Sequence, residues 1–186
     1  MRKFVVAVVV AVLAWIFVVP SCSTTFGCES APATAHADSG SCPDDIDEAA
    51  EDADWAADRI ASIEDDPVTT GLLYDEDGTE MRIESGESGD AYDLALEYLQ
   101  VYPSSVVGDQ PKGRQAAGHV ESKAAALMRS AGQTSGVLVI NHPRGPCPYA
   151  SRVGCGAAMQ LILPEGSTIT VWWPGGHRAY RGRAEG

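Results

Sequence analysis

Four side chains in the second half of this sequence have the types and spacing to act on water: His119, Glu121, Cys147 and Cys155. One imidazole and two thiols form a borderline-soft donor set suited to zinc. Three protein ligands leave a fourth coordination position for water, the arrangement of a catalytic site and not a structural one. Zn2+ would bring the pKa of that water toward neutrality. Glu121, two residues from the histidine and outside the ligand set, is then placed to take the water proton and return it to a leaving nitrogen. Each part is weak alone, because a His-x-Glu triplet is common and two neighbouring cysteines in an exported chain more often form a disulfide. Their conjunction, in this order along the chain, favours a metal site.

The elements that must position these groups can be read from periodicity. Apolar positions Ile46, Ala49, Ala50, Ala53, Ala57, Ile60 and Ala61 predict an amphipathic helix over residues 43–66. A hairpin follows, with Gly71-Leu72-Leu73-Tyr74 and Met81-Arg82-Ile83 flanking an Asp-Gly turn at residues 77–78. Residues 91–101 read as a helix stopped by Pro103, and residues 108–118 as a polar loop. His119 and Glu121 stand at the start of a helix over residues 120–131 that ends at Gly132. Val137-Leu138-Val139-Ile140 is apolar on both sides and belongs in the middle of a sheet. Cys147 follows it, Cys155 opens a third helical stretch to residue 163, and residues 168–173 alternate as a strand. This order predicts an α/β sandwich with a mixed sheet of at least four strands and helices on its faces.

His119-Val120-Glu121 and Pro146-Cys147 resemble the HxE and PCxxC signature of the zinc-dependent cytidine deaminase superfamily. The second cysteine departs from it, arriving after seven intervening residues instead of two. Cys155 at a helix N-terminus, flanked by Gly154 and Gly156, still places a thiolate where the helix dipole favours it. More narrowly, Asn141-His142-Pro143-Arg144-Gly145-Pro146-Cys147 and Leu163-Pro164-Glu165-Gly166 resemble the bacterial DddA-like deaminase toxins. That resemblance covers roughly residues 69–174. It implies a three-layer α/β/α cytidine-deaminase-like sandwich, with His119, Cys147 and Cys155 as zinc ligands and Glu121 as the catalytic proton carrier. It also implies hydrolysis of cytosine to uracil in DNA, either single- or double-stranded, and an immunity protein as partner of a toxin.

Charge divides the chain. Residues 31–110 carry 22 acidic side chains against two arginines, a balance of −20, while residues 111–186 carry nine basic against three acidic, +6. A basic half bearing aromatic side chains suits nucleic acid, phosphates being held by cations and an extruded base by a ring. Arg144 and Arg152 flank the cysteines and are the first choices for backbone contacts, with Asn141, His142, Trp172 and Trp173 as further substrate-binding candidates. Strand alternation requires one of the two tryptophans to pack in the core, and His142 also reads as an ordinary loop histidine. The acidic helix reads as a solvated face, or as a phosphate mimic lying over the basic half. Two other functional classes remain: a deaminase of free nucleosides, with a closed pocket, and a non-catalytic exported module with a Cys147–Cys155 disulfide.

Residues 1–30 read as a targeting leader. Arg2 and Lys3 precede an apolar run over residues 4–19, broken by Pro20. The run suits either a cleaved signal or a retained membrane anchor. Val19, Ser21 and Cys22 resemble a lipoprotein cleavage box, which would attach the chain to the membrane through lipidated Cys22. Export to the outer face of a bacterial cell, or secretion, is expected, and Cys28 could pair with Cys42 or the three leader cysteines otherwise. The expected organisation is a leader at 1–30, a linker and acidic helix at 31–66, the deaminase domain at 67–176 and a basic tail at 177–186.

Overall fold

The computed structural model describes residues 25–28, 42–103, 110–147 and 154–185. Residues 1–24 of the leader, including its lipid box with Cys22, most of the linker and Arg152 lie outside them. Helices α1 (Ile46–Glu51) and α2 (Ala53–Ile63) come first, then β1 (Thr70–Tyr74), β2 (Glu80–Glu84) and α3 (Asp90–Gln100). Helices α4 (Gln110–Ala117) and α5 (Val120–Ala131), β3 (Ser135–Ile140), α6 (Cys155–Ile162), β4 (Thr168–Trp173) and β5 (Gly176–Arg181) complete the order. Among the described residues the sheet has five strands in the order β2-β1-β3-β4-β5, mixed, with β3 and β4 parallel and the other pairs antiparallel. Helices cover both faces, so the expected α/β sandwich is present.

One sheet face buries Leu73, Ile83, Leu138, Ile140, Ile169 and Val171 against α3, α5 and α6. The other buries Leu72, Tyr74, Val137, Val139 and Trp172 beneath α1 and α2. β3 supplies both cores, which is why its sequence is apolar without alternation. The hairpin forms where expected, its Gly78 at φ 73. Glu76 in the same turn then fixes the neighbouring strand, accepting from Thr134 N (2.7 Å), Thr134 Oγ1 (2.7 Å) and Ser135 N (2.9 Å).

Three elements differ from expectation. The acidic helix is two helices, because Asp52 turns extended and accepts from the backbone N–H groups of Asp54 and Trp55, capping α2. Residues 110–117 are helical, and residues 176–181 are an edge strand paired along β4, not a free tail. The acidic helices are themselves a layer of the sandwich. Ala49, Trp55, Ala56 and Ile63 are buried while Asp47, Glu48, Glu51, Asp54 and Asp58 face solvent, and α1 and α2 contact β1 and β3.

A short piece of chain before the linker is built into this layer. Phe26 is buried between Trp55 and Tyr74, at ring centroid distances of 6.4 and 6.3 Å. Its amide donates to Gly78 O at 2.7 Å, and its carbonyl accepts from Trp55 Nε1 at 2.9 Å. Arg59 Nη1 donates to the Gly27 carbonyl beside it, and Cys28 is disulfide-bonded to Cys42. The linker is therefore closed into a loop whose ends are both fixed to the domain. A disulfide spanning 14 positions contributes about 3 kcal/mol by the loop-closure account. Replacing both cysteines by serine is expected to lower unfolding stability by about that amount in urea titrations; an unchanged midpoint would show that the docked Phe26 segment holds without it.

Candidate active site

The site is assembled from the starts of two helices and the exit of the central strand. His119 is the N-cap of α5, Glu121 lies in that helix's first turn, Cys155 is the first residue of α6, and Cys147 lies in the connection leaving β3. The donor atoms of His119, Cys147 and Cys155 all lie within 4.8 Å of one another. His119 Nδ1 is 2.9 Å from Cys155 Sγ and 3.8 Å from Cys147 Sγ. Tetrahedral zinc with ordinary bond lengths sets nitrogen and sulfur ligands about 3.6 Å apart. The Cys147 distance matches this and the Cys155 distance is shorter, so the three could hold one ion once Cys155 and His119 separate slightly. Both cysteines are free thiols.

The electrostatics of the cluster call for a cation. Burial pushes the Cys155 thiol far above its ordinary range, and the Glu121 carboxylate adds to the shift. A divalent ion would reverse that balance and deprotonate the thiol. Glu121 is itself buried, and with His119 and Cys147 it lines a cavity of about 220 Å3. That is smaller than the ~300–1,000 Å3 of sites for drug-sized ligands, a size for one small ring.

Gly71 on β1 fixes where α5 begins. A Cβ there would lie 2.5 Å from Val120 Cγ1 and 2.9 Å from Leu138 Cδ1, so a side chain would displace the residue between His119 and Glu121. The loop carrying Cys147 is held at several points. Asn141 accepts from Thr70 N at 2.9 Å and donates to Ile63 O (3.0 Å) and Val68 O (3.2 Å). His142 Nδ1 is 3.0 Å from Gly145 O, and the Gly145 amide donates to His142 O at 2.9 Å. Gly145 has φ 67 and lies against the Trp173 ring, where a Cβ would come within 2.5 Å.

The substrate-binding candidates therefore separate. His142 lines the cavity, while the Asn141 amide is engaged in backbone contacts. Trp173 supports the loop from the helix α5 and α6 side, and Trp172 is buried on the opposite sheet face, its ring stacked on His177 at 4.1 Å. Arg144 is exposed on the loop. Thr69 and Ser85, which also line the cavity, were not singled out in the sequence. They stand just outside β1 and β2, and only the hairpin's placement beside α5 brings them in.

A buried glutamate beside a His-Cys-Cys cluster, at helix starts over the end of a mixed sheet, defines a deaminase-type site. The SCP1.201-like deaminase family model matches residues 45–186, and the chain belongs to that family. The match takes in the acidic helices and β5 as well as the site. No curated protein matches the chain. If Gly71 sets the position of α5, Gly71→Val is expected to cost about 1–3 kcal/mol by overpacking and to weaken metal uptake, read by urea unfolding and Zn2+ titration. Unaltered stability and uptake would show that the start of α5 is not set by this contact.

Proposed function

We propose that this protein hydrolyses cytosine to uracil in DNA, using zinc held by His119, Cys147 and Cys155 and a proton carried by Glu121. The observation that carries the reading is the meeting of those four side chains at one small cavity in a chain of a deaminase family. When bound, zinc supplies a Lewis acid that lets water attack at neutral pH. Glu121 accepts the water proton and delivers it to the exocyclic nitrogen. The C4–N bond breaks as the C4–O bond is completed, releasing ammonia. His119 and Cys155 are aimed by the helices they begin, and Cys147 by its braced loop. The cavity walls exclude bulk water from the carboxylate and the ring.

Nucleic acid is favoured as substrate by the exposed cations of the basic half. Arg144 stands on the site loop, and Arg178, Arg181 and Arg183 lie on and beyond β5. Lys123 and Arg129 serve the fold instead. Lys123 is buried, and Arg129 lies 4.5 Å over the Tyr98 ring and donates to Ile162 O at 3.0 Å. Export fits the leader pattern of residues 1–30 and the Cys28–Cys42 disulfide, a bond of oxidising compartments. An exported deaminase of this kind would act as a toxin or effector, with an immunity protein protecting its producer.

The protein is expected to bind one equivalent of zinc and to convert cytosine in an oligonucleotide. Glu121→Ala should lower the rate by at least about 100-fold with zinc retained, and Cys147→Ser should lose the metal. Single-stranded DNA, duplex DNA, RNA and free cytidine assayed side by side identify the substrate. Conversion of cytidine alone would replace the nucleic-acid reading with a nucleoside deaminase. Thiols resistant to alkylation in metal-free protein would replace the enzyme with a disulfide-bonded module.

A further inference from the structure

The connection from β2 to α3, residues 85–89, crosses the corner between α4 and α5 as a strap. Ser85, Gly86, Glu87, Ser88 and Gly89 bring no apolar side chain, and Ser85, Ser88 and Gly89 line an open cleft of about 530 Å3. With so little apolar surface buried, hydrogen bonds must set the position of the strap. The Ser85 amide donates to Thr69 O at 2.8 Å, and the Gly86 amide donates at 2.8 Å to the carbonyl of Gly118, the residue before His119. Two residues after Glu121, Lys123 Nζ donates to Glu84 O at 3.0 Å and to Ser88 O at 3.3 Å. The Arg114–Glu87 pair at 3.6 Å is half exposed on both sides and adds little. We propose that Lys123 is a positioning residue for the active site, fastening the strap so that Ser85 stays at the wall of the small cavity. The inference rests on the deaminase reading given above and adds to it a residue that acts through another and touches neither metal nor ring.

Three observations carry it. Thr69 and Ser85 continue the β1–β2 pairing one step past Thr70 and Glu84. Side chains alternate along a strand, so Ser85 lies on the sheet face of Ile83, the face that α5 covers. There it lines the small cavity with His119 and Glu121. Its hydroxyl makes no hydrogen bond among the described residues, which leaves a donor and an acceptor for a bound ring. The second observation is the Lys123 ammonium. A lysine is rarely buried unless its charge is satisfied; Lys123 is 5% exposed, and carbonyls four residues apart satisfy it, closing the strap across its base. The third is the path of the strap, which bends at Gly86 (φ 138) and Gly89 (φ 86). Two glycines give a free loop many other paths. A side chain carried on such a loop is placed well only where surrounding hydrogen bonds hold the loop.

The test compares the full chain with Lys123→Met, which keeps the apolar stem and removes the donors. Hydrogen exchange at the Ser85 and Gly86 amides is expected to rise by at least about tenfold, the worth of one hydrogen bond to a charged group, while the amides of β3 and β4 keep their rates. With the cytosine substrate that reacts fastest, kcat/KM should fall about tenfold through KM, kcat staying within about twofold and zinc stoichiometry unchanged. A merely structural loosening of α5 would displace Glu121 and lower kcat instead. Ser85→Ala should raise KM alike, and the double variant should be no more than about twofold worse than either single one, because both act through one contact. Should Lys123→Met not fold, Lys123→Gln, shorter but still polar, is read in the same way. The proposal is overturned if exchange rises uniformly or not at all, if kcat carries the loss, or if the two losses multiply; each of these leaves the deaminase reading standing. If no cytosine-bearing substrate reacts, that reading fails and the positioning role fails with it.

Discussion

The close approach of β1 to the start of α5 at Gly71 is the constraint on which the site depends. β1 is hydrogen-bonded to β3, whose exit carries Cys147, and it is also the surface on which Val120 rests. One strand thus sets the positions of His119, Glu121 and Cys147 relative to each other. Cys155 joins through the packing of α6 on α5. Four groups from three chain segments converge only in the packed state, so the unfolded chain has no preformed site, and binding of a metal there would be coupled to folding. Without an ion, burial and the Glu121 carboxylate keep the Cys155 thiol protonated. A cation there would stabilise its thiolate.

Charge is sorted in part by layer. The negative residues of α1 and α2 lie on their outer face, across the sheet from the α5 and α6 layer that bears the site, whereas Asp90, Asp93 and Glu97 stand on α3 within that same layer. The apolar side of α1 and α2 buries Tyr74, Val137, Val139 and Trp172. The bulk charge of −13 therefore says little about what approaches the site. The two edge strands are protected in the usual way for exposed sheet edges, β2 by Glu80, Arg82 and Glu84 and β5 by Arg178 and Arg181.

Much of this was legible in the sequence because the signals were local. The Asp-Gly turn, the unalternating run of β3 and the Gly132 stop each reflect a backbone requirement met within a few residues. What escaped was decided by tertiary contacts. Residues 110–117 contain Pro111 and Gly113 and bury little beyond Ala116 and Ala117, so no apolar period announces a helix. Residues 176–181 bury only Tyr180, and only pairing with β4 makes them a strand. At the site, the His-x-Glu and Cys residues stood out by type, while Thr69, Ser85 and Gly71 carry no chemical signature at all. Asn141 was expected at the substrate, and its amide is engaged by Thr70 N, Val68 O and Ile63 O instead.

The widened gap between the two cysteines also has a physical account. In a Cys-x-x-Cys arrangement each sulfur is placed partly by the other, because three peptide links leave little freedom. Here eight links join Cys147 to Cys155, and at up to ~3.3–3.6 Å each they reach far beyond the 4.8 Å within which the donor atoms lie. A connection of that length does not by itself bring the two sulfurs together, so their positions rest on the elements that carry them. Cys155 is placed by its helix. Cys147 is placed from its N-terminal side, by the Asn141 contacts, the His142–Gly145 turn and the Trp173 ring beneath it.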